Sequence, residues 1–360
     1  MSGSPQGPAN KVLIYRLASI GDTVVALPAF RLVARAFPNA ERRVLTNYLQ
    51  SHKAASSESI LEGTGLIHGY MHYPIGSRSL RELWELRSEI RRWRPDLLVY
   101  LTEPRGRFKT VRDVLFFWLC GIRNVIGAPL RRDIQEPRQL DGKRKYESEA
   151  SRLVRSIGEL GDGRENDPAS WDLSLNAREF RTADRTLSNW PGAKRFCSAS
   201  VGTKADTKDW GVDNWRALFD RVSRFDPDLG LVLVGAPDEA TSSDYVSTGW
   251  RGPVLNICGR VNPRESAAII ARSIAFLGHD SGPMHLAAAV GVPCIAVFSA
   301  RNKPGVWFPY GTENRILYHQ TECFGCQLVT CEIHQKKCIR SITVDEVYAV
   351  TLELLRGRGG

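Results

Sequence analysis

Several things are scarce or missing in this 360-residue chain. It has no long apolar run: the longest, Val114–Cys120, falls far below the roughly 20 residues that cross a bilayer. Residues 1–10 are small and polar. They lack the apolar stretch of a secretory leader and read as a disordered start. The dinucleotide fingerprint G-x-G-x-x-G is absent, which weakens a dehydrogenase reading. No helix-turn-helix, zinc-finger or aromatic RNA-binding pattern is present, so nucleic acid is not an expected partner. Acidic residues are outnumbered, 39 Asp+Glu against 49 Lys+Arg, for a net charge of +10. That excess favours an anionic partner such as an acidic glycan or a membrane surface. The expectation is a cytoplasmic protein, either free or peripheral to a membrane.

What is present alternates. Val12–Leu17, Arg43–Thr46, Leu66–Tyr73, Leu97–Leu101 and Val125–Ile126 have strand character, with helical spacing over Thr23–Phe37, Leu80–Trp93 and Val111–Cys120. The stretch 158–172 (GELGDGRENDPASWD) is rich in Gly, Pro and charge and reads as a linker. Alternation then restarts. Strands are expected at Phe196–Val201, Leu229–Val234, Val254–Ile257, Ile274–Leu277 and Cys294–Phe298. Helices are expected at Trp215–Arg224, Pro263–Ala271, Pro283–Val290 and Val344–Leu355. This order predicts an α/β protein of two doubly wound, Rossmann-like domains with parallel sheets and a cleft between them. The boundaries read 11–172 for the first domain and 173–342 for the second. A terminal helix and tail occupy 343–360.

Three constellations carry chemistry. Arg16-Leu17-Ala18-Ser19-Ile20-Gly21-Asp22 joins the first strand to the first helix. Asp22 there is either a base for an incoming hydroxyl or a helix cap. Gly202 to Trp210 follows the first strand of the second domain, with Thr203 and Lys208 in it. Lys208 could neutralise a departing phosphate, or the loop is merely solvated. Asp280-Ser281-Gly282-Pro283-Met284-His285 leads straight into an apolar helix. Ser281 suits an N-cap, Pro283 suits the first helical position, and the free N–H groups there suit a phosphate. His285 faces either the cleft or the core. Asp238, in the loop Gly235–Glu239 at another strand end, could accept hydrogen bonds from a ribose.

Together these residues resemble glycosyltransferase family 9, the heptosyltransferases of lipopolysaccharide core assembly, over about Lys11 to Leu355. The N-terminal signature R-x-x-S-x-G-D is Arg16 to Asp22, followed by Leu27-Pro28-Ala29. The C-terminal signature D-[ST]-G-x-x-H-L-A-A is Asp280 to Ala288, followed by Gly291-Val292-Pro293. Lys208-x-Trp210 with Trp215 resembles the family's K-x-W…W. The resemblance implies a GT-B fold, with an acceptor domain at 11–172 and a nucleotide-sugar donor domain at 173–342. It implies inverting transfer from a nucleotide-sugar, typically ADP-heptose, with no cofactor required for catalysis. Asp22 would be the base. Lys208, Ser281 and Gly282 would hold the pyrophosphate, and Thr203, Asp238, Asp280, Met284 and His285 would line the donor site. Arg16, Ser19 and Gly21 would lie on the acceptor side. The segment Leu101–Lys109 departs from the family's D-x-Q-G pattern. Its Arg105, Arg107 and Lys109 suit an anionic glycolipid acceptor at the inner membrane face. A nucleotide-sugar epimerase of the same architecture and a non-catalytic sugar-nucleotide-binding protein are the alternatives.

Four of the eight cysteines (Cys120, Cys197, Cys258, Cys294) lie in or beside apolar runs and read as buried thiols. The others, Cys323, Cys326, Cys331 and Cys338, form a compact set within 323–338. They could hold a structural zinc or iron, stay reduced, or form disulfides.

Overall fold

A computed structural model describes residues 9–48, 57–74, 79–140, 145–188, 190 and 195–357. Apart from Ala9 and Asn10, the expected disordered start lies outside the described residues, as does the end of the C-terminal tail. Residues 9–140 and 147–174 form one compact unit; 145–146 with 175–357 form the other.

In the first unit β1 (Lys11–Tyr15) leads to α1 (Ile20–Val25), α2 (Leu27–Ala36) and β2 (Glu41–Tyr48). Next come α3 (Glu58–Leu61), β3 (Gly69–Pro74), α4 (Leu80–Trp93) and β4 (Leu97–Tyr100). α5 (Arg107–Leu119), β5 (Asn124–Ile126), α6 (Arg132–Gln135) and α7 (Glu149–Ser156) complete it. The five strands run parallel in the order β3-β2-β1-β4-β5. β1 and β4 are buried along nearly their whole length, as central strands covered on both faces must be. Strand order reverses between β1 and β4, so the loops after these two strands emerge at the switch point where such sheets bind ligands.

Two expectations change here. The single helix read over Thr23–Phe37 is two, broken at Ala26. Pro28 stands in the first turn of α2; there its missing N–H is harmless, whereas a continuous helix would clash with its ring. The stretch 158–172 is no linker, because it packs into the first unit. Arg35 donates to the carbonyls of Asp162 (2.8 Å) and Gly163 (3.3 Å). Trp171 is buried and donates its indole N–H to Glu165 O at 2.7 Å. The unit ends at Ser174.

The second unit holds α8 (Ala177–Ser188), β6 (Phe196–Ser200), α9 (Val212–Phe225), β7 (Gly230–Leu233), α10 (Ala240–Ser247) and β8 (Val254–Asn256). It continues with α11 (Pro263–Ile270), β9 (Phe276–His279), α12 (Gly282–Ala289), β10 (Cys294–Phe298) and β11 (Arg315–Tyr318). α13 (Lys337–Arg340) and α14 (Val344–Arg356) close it. Its six parallel strands run β11-β10-β9-β6-β7-β8. The order reverses between β6 and β9, which places the loop carrying Lys208 beside the turn carrying Asp280 and Ser281. β9 ends two residues later than its apolar run suggests, and this draws His279 into the sheet. All four cysteines beside apolar runs are buried free thiols.

Candidate functional site

At the first switch point the chain turns inward after β1. The buried Arg16 guanidinium donates through Nη1 to Leu101 O (2.5 Å) and through Nη2 to Asp22 O (2.7 Å). Glu149, held bidentately by Arg152 at 2.6 Å, lies 3.8 Å from it. Arg16 therefore ties together the end of β4, α1 and α7; its expected place among acceptor ligands becomes that of a strut. Ser19 precedes α1 with extended backbone, and Gly21 is buried in the first turn. The Ser19 N–H donates to Asp22 Oδ2 at 2.8 Å. The cap reading of Asp22 is thus realised. It does not exhaust the carboxylate, which offers about four acceptor sites.

Glu103, just past β4, joins Asp22 as a second carboxylate that the sequence reading passed over. Its side chain is exposed by surface area. Crowding by protein still strips enough water to push its carboxyl pKa up, and the like charges of Glu149 and Asp22 add to this. Arg105 is not available as expected. Its Nη2 lies 2.6 Å from Asp113 Oδ2 and 3.0 Å from the Tyr15 hydroxyl, and Asp113 is buried. Its charge is answered inside the unit by a carboxylate that cannot leave. Arg107 and Lys109 stand exposed at the start of α5.

The second switch point is built around Asp280. Lys208 Nζ stands 2.7 Å from Asp280 Oδ2 and 3.1 Å from Asp280 O, and Asn302 Nδ2 donates to the same Oδ2 at 3.4 Å. Ser281 has the extended backbone of an N-cap, but its hydroxyl caps nothing. Ser281 Oγ is buried with no partner among the described residues. Ser299 Oγ, one residue past β10, is in the same condition. His279 pairs with Val297 across β9 and β10, so both hydroxyls emerge at the same edge of the sheet. Gly282 and Met284 contribute backbone N–H groups of the first helical turn, which have no intrahelical acceptor. The Met284 side chain lies in the core, so only its backbone can reach a ligand. His285 is buried, with Nε2 3.9 Å from Asp280 Oδ1 and its ring against Trp307. Thr203 Oγ1 closes a local turn with Ala205 at 3.4 Å.

In the loop after β7, Asp238 is exposed and its neighbour Glu239 turns inward. Ala236 N–H donates to Glu239 Oε2 at 3.0 Å, and burial raises the Glu239 pKa. A methyl group added at Gly202 or Gly235 would meet this carboxylate at 2.1 Å. The sequence singles out the loop but not which of its two acids faces inward.

His279 is the most informative residue the sequence reading missed. Its Nε2 accepts from the Trp210 N–H (3.1 Å) and from the Trp215 indole (3.0 Å). The K-x-W…W pattern is therefore a clamp: both tryptophans fasten the Lys208 loop and α9 to the end of β9. Burial pushes the His279 pKa down to about 4, with Lys208 reinforcing the shift and Asp209 and Asp280 opposing it. A histidine kept neutral by the fold contributes stability above its unfolded pKa of about 6.5. That contribution is lost as pH falls from there toward 4, by about 3 kcal/mol at most. Thermal melting across this window should show the loss in the wild-type protein and a shallower one in His279→Gln. Equal slopes would reject the assignment.

The four C-terminal cysteines lie between β11 and α14 of the second unit, Cys338 within α13. Among the described residues no three His, Cys, Asp or Glu side chains are grouped so as to hold an ion. Cys323 and Cys326 lie close enough to Cys338 to raise its pKa, after burial, and all are free thiols. Hydrogen bonds and an ion pair tie this segment to its surroundings. Gly325 N–H donates to Ala300 O (2.8 Å), Thr207 Oγ1 donates to Leu328 O (2.8 Å), and Lys336 Nζ lies 2.9 Å from Asp206 Oδ1. The segment braces the loop that carries Lys208.

The architecture, two parallel α/β sheets each with its loops gathered at a switch point, matches solved GT-B structures. One is a glycosyl transferase family 9 protein from Veillonella parvula, at TM-score 0.75 and 18% identity, covering 97% of this chain and 98% of that one. Another is the E. coli heptosyltransferase WaaC with ADP, at TM-score 0.64 and 17% identity, covering 96% and 99%. The family described as Glycosyltransferase family 9 (heptosyltransferase) matches residues 148–337, and the chain belongs to it. Among curated relatives, lipopolysaccharide heptosyltransferase 3 of E. coli K12 is 28% identical over 149 residues, 41% of this chain. That stretch spans 43% of the relative's length, less than half.

Proposed function

We propose that the protein transfers heptose from ADP-heptose to a hydroxyl of a lipopolysaccharide core acceptor, with inversion at the anomeric carbon. The observation that carries the donor half is the unpartnered, buried Ser281 hydroxyl. It sits at the N-terminus of α12, beside the cation of Lys208. A diphosphate supplies the acceptor oxygen that the Ser281 hydroxyl lacks and a second anionic partner for Lys208. Family membership, and the E. coli neighbour solved with ADP, support adenine as the base.

In this reading the acceptor hydroxyl attacks the anomeric carbon as Asp22 takes its proton. The bond from that carbon to the β-phosphate oxygen breaks, and ADP leaves. Lys208, Ser281 and the N–H groups of Gly282 and Met284 stabilise the charge that grows on the diphosphate. One carboxylate suffices for a single displacement. Arg107 and Lys109 are the cations available to an anionic acceptor. Lys208 and the helix N-terminus supply the positive field at the leaving group, so transfer needs no divalent cation.

Two measurements test this. Thermal shift with a panel of nucleotide-sugars should give stabilisation by ADP-sugars and none by UDP- or GDP-sugars, because only a ligand of the folded state raises stability. Turnover with ADP-heptose and a core acceptor should survive excess EDTA. Stabilisation by UDP-sugars alone would change the donor. Consumption of donor without acceptor would replace transfer by epimerisation.

A further inference from the structure

We propose that the outward face of α5 is a docking surface for an anionic lipid bilayer. The helix is inverted relative to an ordinary surface helix, which turns its charges to water. Thr110, Asp113 and Phe117 form its buried side. Phe108, Val111, Leu115, Trp118 and Leu119 lie on the opposite side, with Phe108 85% exposed and the others about half. Their spacing of three and four residues puts them on one stripe. No contiguous apolar stripe of this kind is expected on a face that meets only water.

The stripe is edged by one sign of charge. Arg107, Lys109 and Arg112 flank it on α5, and Arg123 stacks on Trp118 at 5.4 Å. Arg87 and Arg91 of α4 donate to Leu119 O at 3.2 and 3.5 Å, adding two more guanidinium groups at its end. Asp113, the one acid of α5, is buried between Arg105 and Arg112. α4 carries glutamates as well, so the argument rests on α5.

Apolar side chains framed by Lys and Arg fit an interface of acyl chains and anionic headgroups. A second copy fits less well: a symmetric contact through this stripe would set Arg107, Lys109 and Arg112 of one chain near those of the other. With 13 residues, α5 is about 20 Å long and lies on a bilayer rather than crossing it. Among the described residues no helix is long and apolar enough to cross a membrane.

The test uses the full chain with no donor or acceptor, so it is independent of the transferase reading. Flotation should recover the protein with vesicles of phosphatidylcholine and phosphatidylglycerol. Recovery should be lower with phosphatidylcholine alone and at high salt. The variant Phe108→Ser/Leu115→Ser/Trp118→Ser should bind at least about tenfold more weakly while still unfolding cooperatively, and Phe108→Ser alone, at an 85% exposed position, should weaken binding with its melting temperature unchanged. Equal binding by variant and wild type would overturn the proposal. So would failure of the wild type to bind any vesicle, whether it stays monomeric or forms a dimer that the variant loses.

Discussion

Asp22→Asn should slow transfer at least about a hundredfold, the scale of a positioned general base, and leave donor binding unchanged. The substitution separates the capping contact seen at Asp22 from the base role proposed for the same side chain. Asparagine keeps an oxygen at the Oδ2 position, so it can still accept the Ser19 N–H that Asp22 accepts at 2.8 Å. At this third helical position an amide can reach back to the N-cap N–H as a carboxylate does. The start of α1 and the Arg16 contact to the residue 22 carbonyl are therefore retained. What is lost is the ability to take a proton. Asp22→Ala, by contrast, should lose turnover and also about 1 kcal/mol of stability, the net worth of the hydrogen bond from the Ser19 N–H. Rates with saturating donor and acceptor, read beside melting temperatures, distinguish the two variants. Near-normal turnover in Asp22→Asn would leave Asp22 a cap alone, and Glu103 would become the carboxylate to test.

Lys208→Ala should lower turnover by about a hundred- to a thousandfold, the range for loss of one donor aimed at developing charge, and should weaken donor binding too. The reason goes beyond one missing contact. Lys208 Nζ lies 2.7 Å from a carboxylate that is 6% exposed. Removing the cation strands the Asp280 charge at the place proposed for the diphosphate, so the site changes from attractive to repulsive. The double variant Lys208→Ala/Asp280→Asn removes the stranded charge. It should recover part of the donor affinity while turnover stays low. Isothermal titration with ADP and steady-state rates read the two effects separately. If the single and double variants bound ADP equally, Asp280 would have no such electrostatic part.

Much of this was legible in the chain because both switch points fall where a strand run meets a short polar turn. Asp22, Lys208 and Ser281 stand at such junctions, and parallel α/β topology sends those junctions to one edge of each sheet. The misses share a cause as well. His279 closes an apolar strand, and nothing local marks it as the acceptor for two tryptophans that precede it by more than sixty positions. Arg105 reads as a free cation until its buried partner eight residues on, Asp113, is seen. The stretch 158–172 has the composition of a tether, yet it is held by Arg35, a residue on α2. Side-chain partners distant in sequence leave no periodic trace. Proline at 28 did leave one, and the split of the first helix could have been read from it.

The carboxylate of Glu239 fills the space a side chain would need at both Gly202 and Gly235. These three positions lie on two loops, after β6 and after β7, but they share one volume. A change at either glycine requires the Glu239 carboxylate to swing out, losing the hydrogen bond from Ala236 N–H, or residue 239 to shorten. Among diverging homologues the three should be inherited as a set, with substitutions at 239 opening the way for those at 202 and 235. Divergence in the loops around the donor edge would then proceed in concerted steps, not one residue at a time.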